Sequence, residues 1–108
     1  MKIRPVFAAA AVLWAAPAVA GENEAVRFAI FQGYTAAIEA SCPAYFAYPG
    51  ATSGQHLSSQ DLALALAEAP AWRAEMQRNV SALGCDAAAR DALAFTDLSF
   101  QQVWEYKQ

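Results

Sequence analysis

The sequence predicts an all-α fold, a small bundle of three to five helices stapled by one disulfide. Three observations carry this expectation. Apolar side chains recur at helical spacing in several separate stretches. Leucine and alanine, both strong helix formers, dominate the segment from Ser58 to Cys85, and no β-branched residue interrupts LALALAEA. The chain has two cysteines, Cys42 and Cys85, which allow a single intramolecular pairing. Free thiols or an intermolecular bridge are the other possibilities for the same pair.

Residues 1–20 read as a secretory leader. Lys2 and Arg4 make a basic start, Val6 to Ala16 is an uncharged apolar run, and Ala18-Val19-Ala20 has the small-x-small form cleaved before Gly21. The run is short for a membrane span, which needs about 20 residues, and Pro17 interrupts its end. Cleavage after Ala20 leaves residues 21–108 as a single helical domain in the periplasm or secreted. An oxidising compartment permits the Cys42–Cys85 bridge. Closing a loop of that length is worth about 4 kcal/mol on a chain-entropy estimate.

Because Lys2 and Arg4 lie in the leader, residues 21–108 hold ten acidic side chains against five basic ones. That balance excludes nucleic acid as a partner, since binding there depends on neutralising phosphates with Lys and Arg. It equally disfavours an anionic membrane surface. No membrane association is expected after leader cleavage. An acidic export of this kind is suited to a protein partner.

Each element follows from local pattern. Residues 22–41 are expected to form the first helix, with Val26, Ile30, Ala37 and Ile38 on one stripe and Phe28 and Phe31 widening it. Gly33 costs this helix about 1 kcal/mol relative to alanine and marks a close approach of another helix. Pro43 disfavours helical geometry at Cys42 and ends the helix there. Residues 43–57 read as a long loop, with Pro49-Gly50 as a turn signal. Its aromatic residues Tyr45, Phe46 and Tyr48 either cover one end of the core or present a recognition surface.

Ser58 is placed to cap the next helix, with Asp61 three residues on. Residues 59–68 form that helix, and Pro70 is suited to start another. Leu62 and Leu66 share one face while Leu64 points nearly opposite. A helix apolar on two sides has to be buried on both, which puts this segment at the centre of the bundle. From Pro70 onward Trp72, Met76, Val80 and Leu83 give the cleanest amphipathic stripe, and Gly84 fits a helix-ending cap. The last helix is expected from Asp86 to about Lys107. Ala89, Leu93, Phe100 and Trp104 form its main stripe. Phe95, Leu98 and Tyr106 fall on the other side. This pattern implies a break near Thr96-Asp97, or else a dimer contact through those side chains.

Catalytic and metal chemistry find few residues to use. His56 is the one histidine. It lies near Ser53, Ser58 and Asp61, but the G-x-S-x-G form of a nucleophile elbow is absent. One imidazole and a paired pair of cysteines do not make a transition-metal site. The cysteines are not spaced as C-x-x-C or C-x-x-C-H, and no phosphate-binding glycine loop is present. The expectation is therefore a non-enzyme without cofactor or metal. An enzyme using His56 is the least favoured alternative.

The two cysteines, about twenty residues from either end of the exported chain, resemble the layout of the periplasmic acid-stress chaperones of the HdeA type. The closing segment, with Phe95, Phe100, Val103, Trp104 and Lys107, is similar to that family's aromatic and lysine-bearing C-terminal helix. The resemblance implies a structural Cys42–Cys85 disulfide. It also implies, as an alternative function, acid-activated holding of unfolded clients. Protonation of the carboxylates near pH 2 would leave the chain strongly positive and loosen its fold. The primary expectation remains a small exported helical protein that binds a protein partner or a second copy of itself. Its candidate contact residues are Tyr45, Phe46, Tyr48, Phe95, Leu98 and Tyr106.

Overall fold

The computed structural model describes residues 16–106, with side chains over 23–106; most of the predicted leader lies in residues 1–15, outside the described residues. In chain order the elements are α1 (Ala16–Ser41), β1 (Tyr45–Ala47), α2 (Pro49–Thr52), α3 (Ser59–Leu83), α4 (Cys85–Asp91), a 3-10 turn (Ala92–Phe95), α5 (Phe100–Val103) and β2 (Trp104–Tyr106). The small helical bundle and the Cys42–Cys85 disulfide are both present.

The central element is α1, not the segment after Ser58. Ala25, Phe28, Ala29, Phe31, Tyr34, Thr35, Ala37 and Ile38 are all buried. At 100° per residue these positions point to nearly every side of the helix, so α1 must be surrounded. By contrast α3 buries Ala65, Met76 and Val80, whereas Leu64 and Leu66 are each half exposed. The expectation that leucine on two faces means burial on two faces fails: Ala65, between Leu64 and Leu66, is the residue this stretch buries. The bulkier leucines flank it.

The α1–α3 contact is close because Gly33 has no side chain. A Cβ there would stand 2.6 Å from the Arg73 backbone nitrogen and 2.8 Å from Trp72. Farther along, Gln77 Nε2 donates to Ser41 Oγ at 2.8 Å. Sequence position advances together on both helices, so they run in the same direction. Parallel neighbours need a return crossing, and residues 42–58 supply it. That crossing holds β1 and α2 where a plain loop was expected.

One helix spans Ser59–Leu83 where two were expected, with Pro70 in its interior. Proline there removes the N–H that would reach the Leu66 carbonyl, a cost of about 3 kcal/mol in an isolated helix. Residues buried on both sides of the proline, Ala65 before it and Met76 and Val80 after it, carry the helix through. Ser58 Oγ accepts the Asp61 N–H at 3.1 Å, as the capping signal predicts. At the far end Gly84 adopts φ +86°, a backbone conformation that a side chain disfavours, and its N–H bonds the Val80 carbonyl at 2.9 Å.

The expected long C-terminal helix ends early. After α4 the chain tightens into the 3-10 turn and turns extended at Thr96. The predicted break at Thr96-Asp97 is therefore real. Beyond it stand a single helical turn, closed by a Ser99–Gln102 capping box, and then a strand. The strand pairs antiparallel with β1 in the register Tyr45–Tyr106, Phe46–Glu105 and Ala47–Trp104.

Candidate interaction surface

Around the C-terminal end of α1 the chain is fastened by several unlike bonds. The disulfide joins Cys42, just past α1, to Cys85 at the start of α4, with Cα atoms 5.8 Å apart. Next to it the ribbon of β1 and β2 turns one face inward. Tyr45, at 4% exposure, meets the rings of Trp104 at 5.6 Å, Phe100 at 6.3 Å and Tyr106 at 4.9 Å. The Tyr45 hydroxyl donates to Asp86 Oδ1 at 2.8 Å, and Trp104 Nε1 donates to the Ala89 carbonyl at 3.0 Å. Both bonds tie the ribbon to α4. One turn along, the Tyr34 hydroxyl of α1 donates to Asp91 Oδ2 at 2.7 Å.

Alternation along β1 decides which aromatic side chains face out. Tyr45 and Ala47 point inward, so Phe46 and Tyr48 point away, at 43% and 41% exposure. The outer edge of β1 is partly covered, because the Ala47 N–H donates to the Glu39 carboxylate at 2.9 Å. The Tyr48 N–H continues the ladder to the Val103 carbonyl at 2.8 Å.

The six residues expected to form contact surfaces thus divide. Phe46, Tyr48 and Tyr106 are exposed, but Tyr106 pairs with Tyr45 and shares its face of the ribbon, whereas Phe46 and Tyr48 lie on the other. Tyr45 is a correction: its ring is buried, and it belongs to the core-covering reading of the aromatic loop. Phe95 and Leu98 are half-buried and pack against the core, Phe95 beside the Tyr34 ring at 6.3 Å. Their neighbours are groups of the same chain, which removes the reason for expecting a dimer contact there.

Sequence reasoning missed the exposure of Leu64, Leu66 and Val26. Val26, Leu64 and Glu68 border a shallow hollow of about 220 Å³.

Electrostatics at the fastened end are local. The hydrogen bond from Tyr45, and then Arg90, hold the Asp86 carboxyl below the usual range. Burial, reinforced by Asp86, pushes the Tyr45 hydroxyl up to about 12. Burial and Asp91 likewise push the Tyr34 hydroxyl up. The Arg90 guanidinium stands over the Phe100 ring at 4.8 Å, and its Nε lies 3.3 Å from Asp86 Oδ2. An open groove of about 310 Å³ lies between the disulfide, the Pro43-Ala44 turn, Asp86 and the Tyr45–Tyr106 pair.

His56 sits far from this end. It is exposed, edge-on to Phe28 at 5.4 Å, beside a hollow of about 50 Å³ bordered by Arg27 and Asp97. Among the described residues no three histidine, cysteine or acidic side chains are grouped to hold a metal, and no helix is long and apolar enough to cross a membrane. No protein-family model, curated protein or solved structure matches this chain.

Proposed function

We propose that this is a small exported protein that acts by binding a protein partner rather than by catalysis. Its contact surface is the outward face of β1, with Phe46 and Tyr48 as the anchors. The observation that carries this reading is the placement of two exposed aromatic side chains, Phe46 and Tyr48, on the outward face of a two-stranded ribbon. An isolated two-stranded ribbon is marginal in water. This one is held by the disulfide, the Tyr45 and Trp104 rings and two hydrogen bonds to α4. Aromatic side chains presented on a fixed backbone supply contact area at low entropic cost, and such residues dominate binding energy where proteins meet. The disulfide also suits an oxidising compartment and so supports export.

The test is a Phe46→Ser/Tyr48→Ser double variant, checked for an unchanged circular dichroism spectrum. Wild type, cross-linked in a periplasmic extract, is expected to retain a defined partner that the variant loses. Equal retention by both would show that the ribbon is not the contact surface.

Acid-activated client holding is the second reading, favoured by one arrangement. Asp86 fastens the ribbon to α4 as an ionised carboxylate, and acid removes its charge. Aggregation of a model client, followed at pH 2 and pH 7, tests it. Protection is expected at pH 2 alone, and its absence there rules the reading out.

A further inference from the structure

The groove beside the disulfide has the components of a cation site. One wall is the Tyr106 ring, half exposed and tilted at 60° against the buried Tyr45 ring, with centroids 4.9 Å apart. Another is the Asp86 carboxylate, whose side chain is 69% exposed and fixed in direction by the Tyr45 hydroxyl. The disulfide and the Pro43-Ala44 turn close the floor without adding a cation, and the volume of about 310 Å³ admits one long side chain.

The same aromatic cluster already holds a guanidinium on its other side. Arg90 lies between the Phe100 ring and Asp86, yet it does not border the groove. A ring face paired with a carboxylate is the arrangement that attracts a cation. Arg90 takes the Phe100 side of Asp86, while Asp86 and the Tyr106 ring both line the groove. Surrounding charge points the same way. Glu39 lies on the adjoining end of α1, and residues 21–108 carry twice as many acids as bases.

We propose that this groove receives a lysine or arginine side chain from a basic segment of the partner protein, between the Tyr106 ring and the Asp86 carboxylate. The inference rests on the partner-binding reading above and gives that partner its chemistry.

The probes are three acetylated, amidated pentapeptides that differ only at the central residue: lysine, norleucine or glutamate. They are titrated into the oxidised protein while the backbone amide signals of Ala44, Cys85 and Tyr106 are followed by NMR. Saturable shifts at these amides are expected with the lysine peptide, about fivefold weaker with norleucine, and absent with glutamate. Asp86→Asn and Tyr106→Leu should each weaken the lysine peptide by a similar factor. The inference is overturned by no saturation at these amides, by equal response to norleucine, or by a lysine response that both variants leave undiminished. If the wild type still captures a partner that the ribbon variant loses while the lysine peptide fails, the groove falls and the partner-binding reading stands. If no partner depends on the ribbon, the reading itself falls, whatever the peptides do.

Discussion

Along α1 and α3 the chain is held by proximity, and around the C-terminal end of α1 it is held by bonds. In the first region Gly33 lets two parallel helices approach until it meets the backbone of Trp72 and Arg73. In the second, β1, β2 and α4 are short and would not persist alone. A disulfide, a cluster of four rings and two side-chain hydrogen bonds fasten them to α1 and to one another. Long helices tolerate a seam of small residues because dispersion adds along their length. Short elements need a few strong attachments instead. Those attachments fix the direction of the exposed aromatic side chains, and the candidate surface lies at the bonded end.

Removing the disulfide should separate the two regions most sharply. A Cys42→Ala/Cys85→Ala variant is expected to lose about 4 kcal/mol in urea unfolding, on the chain-entropy estimate. Amide exchange should rise chiefly in α4 and the ribbon, while the α1–α3 seam keeps its protection. Equal loss of protection in both would mean that they unfold as one unit.

Gly33→Ala strikes the other region. The added methyl meets backbone atoms, which cannot swing aside as the end of a flexible side chain can. Overpacking of this kind costs about 1–3 kcal/mol. The measurement is the urea midpoint, with the Trp72 environment followed by fluorescence. An unchanged midpoint would mean that the two backbones do not meet at Gly33.

The difference between the regions also explains what could be read in advance. Helix content and caps are local properties, and Ser58, Asp61 and Gly84 announced them correctly. The disulfide followed from there being one possible pair. Which helix lies at the centre is not local. Leu64 and Leu66 look buried on a helical projection, and only the burial of Ala65 between them shows that they are not. The ribbon was illegible for a similar reason. Its strands are three residues each and pair across sixty residues of sequence, so neither carries a pattern long enough to outweigh the helix formers around it. Phe46, Tyr48 and Tyr106 were singled out by their aromatic character, but which of them share a face depended on strand pairing. The burial of Tyr45 depended on strand alternation that the loop reading did not contain.

Tyr45→Phe tests a single attachment at the bonded end. The ring stays and the hydroxyl bond to Asp86 goes, at a cost of about 1 kcal/mol. The substitution also removes a titration. The native hydroxyl is held up to about 12, so its contribution is intact below the unfolded value of about 10 and is lost as pH rises between the two. Wild type should therefore lose stability over that interval faster than the variant. Parallel curves would show that the hydroxyl bond does not hold the ribbon.

The smallest expected effect concerns acid, and its sign follows from the same bond. Asp86 is held below its unfolded value, first by the Tyr45 hydroxyl and then by Arg90. The unfolded state therefore takes up its proton first as pH falls. The stabilisation is present above about pH 4, the ordinary range for aspartate, and fades as pH drops through the native value. An Asp86→Asn variant keeps an acceptor for Tyr45 but carries no charge, so it should lack this dependence. The gap between wild type and variant in urea midpoint is expected to be clear at pH 6 and to close toward pH 2. The exposed carboxylate keeps the gap small, and added salt should shrink it further at pH 6. A gap that stays constant from pH 6 to pH 2 would mean that the bond acts as a neutral one. The bonded end would then offer acid no way to loosen the ribbon while the α1–α3 seam holds.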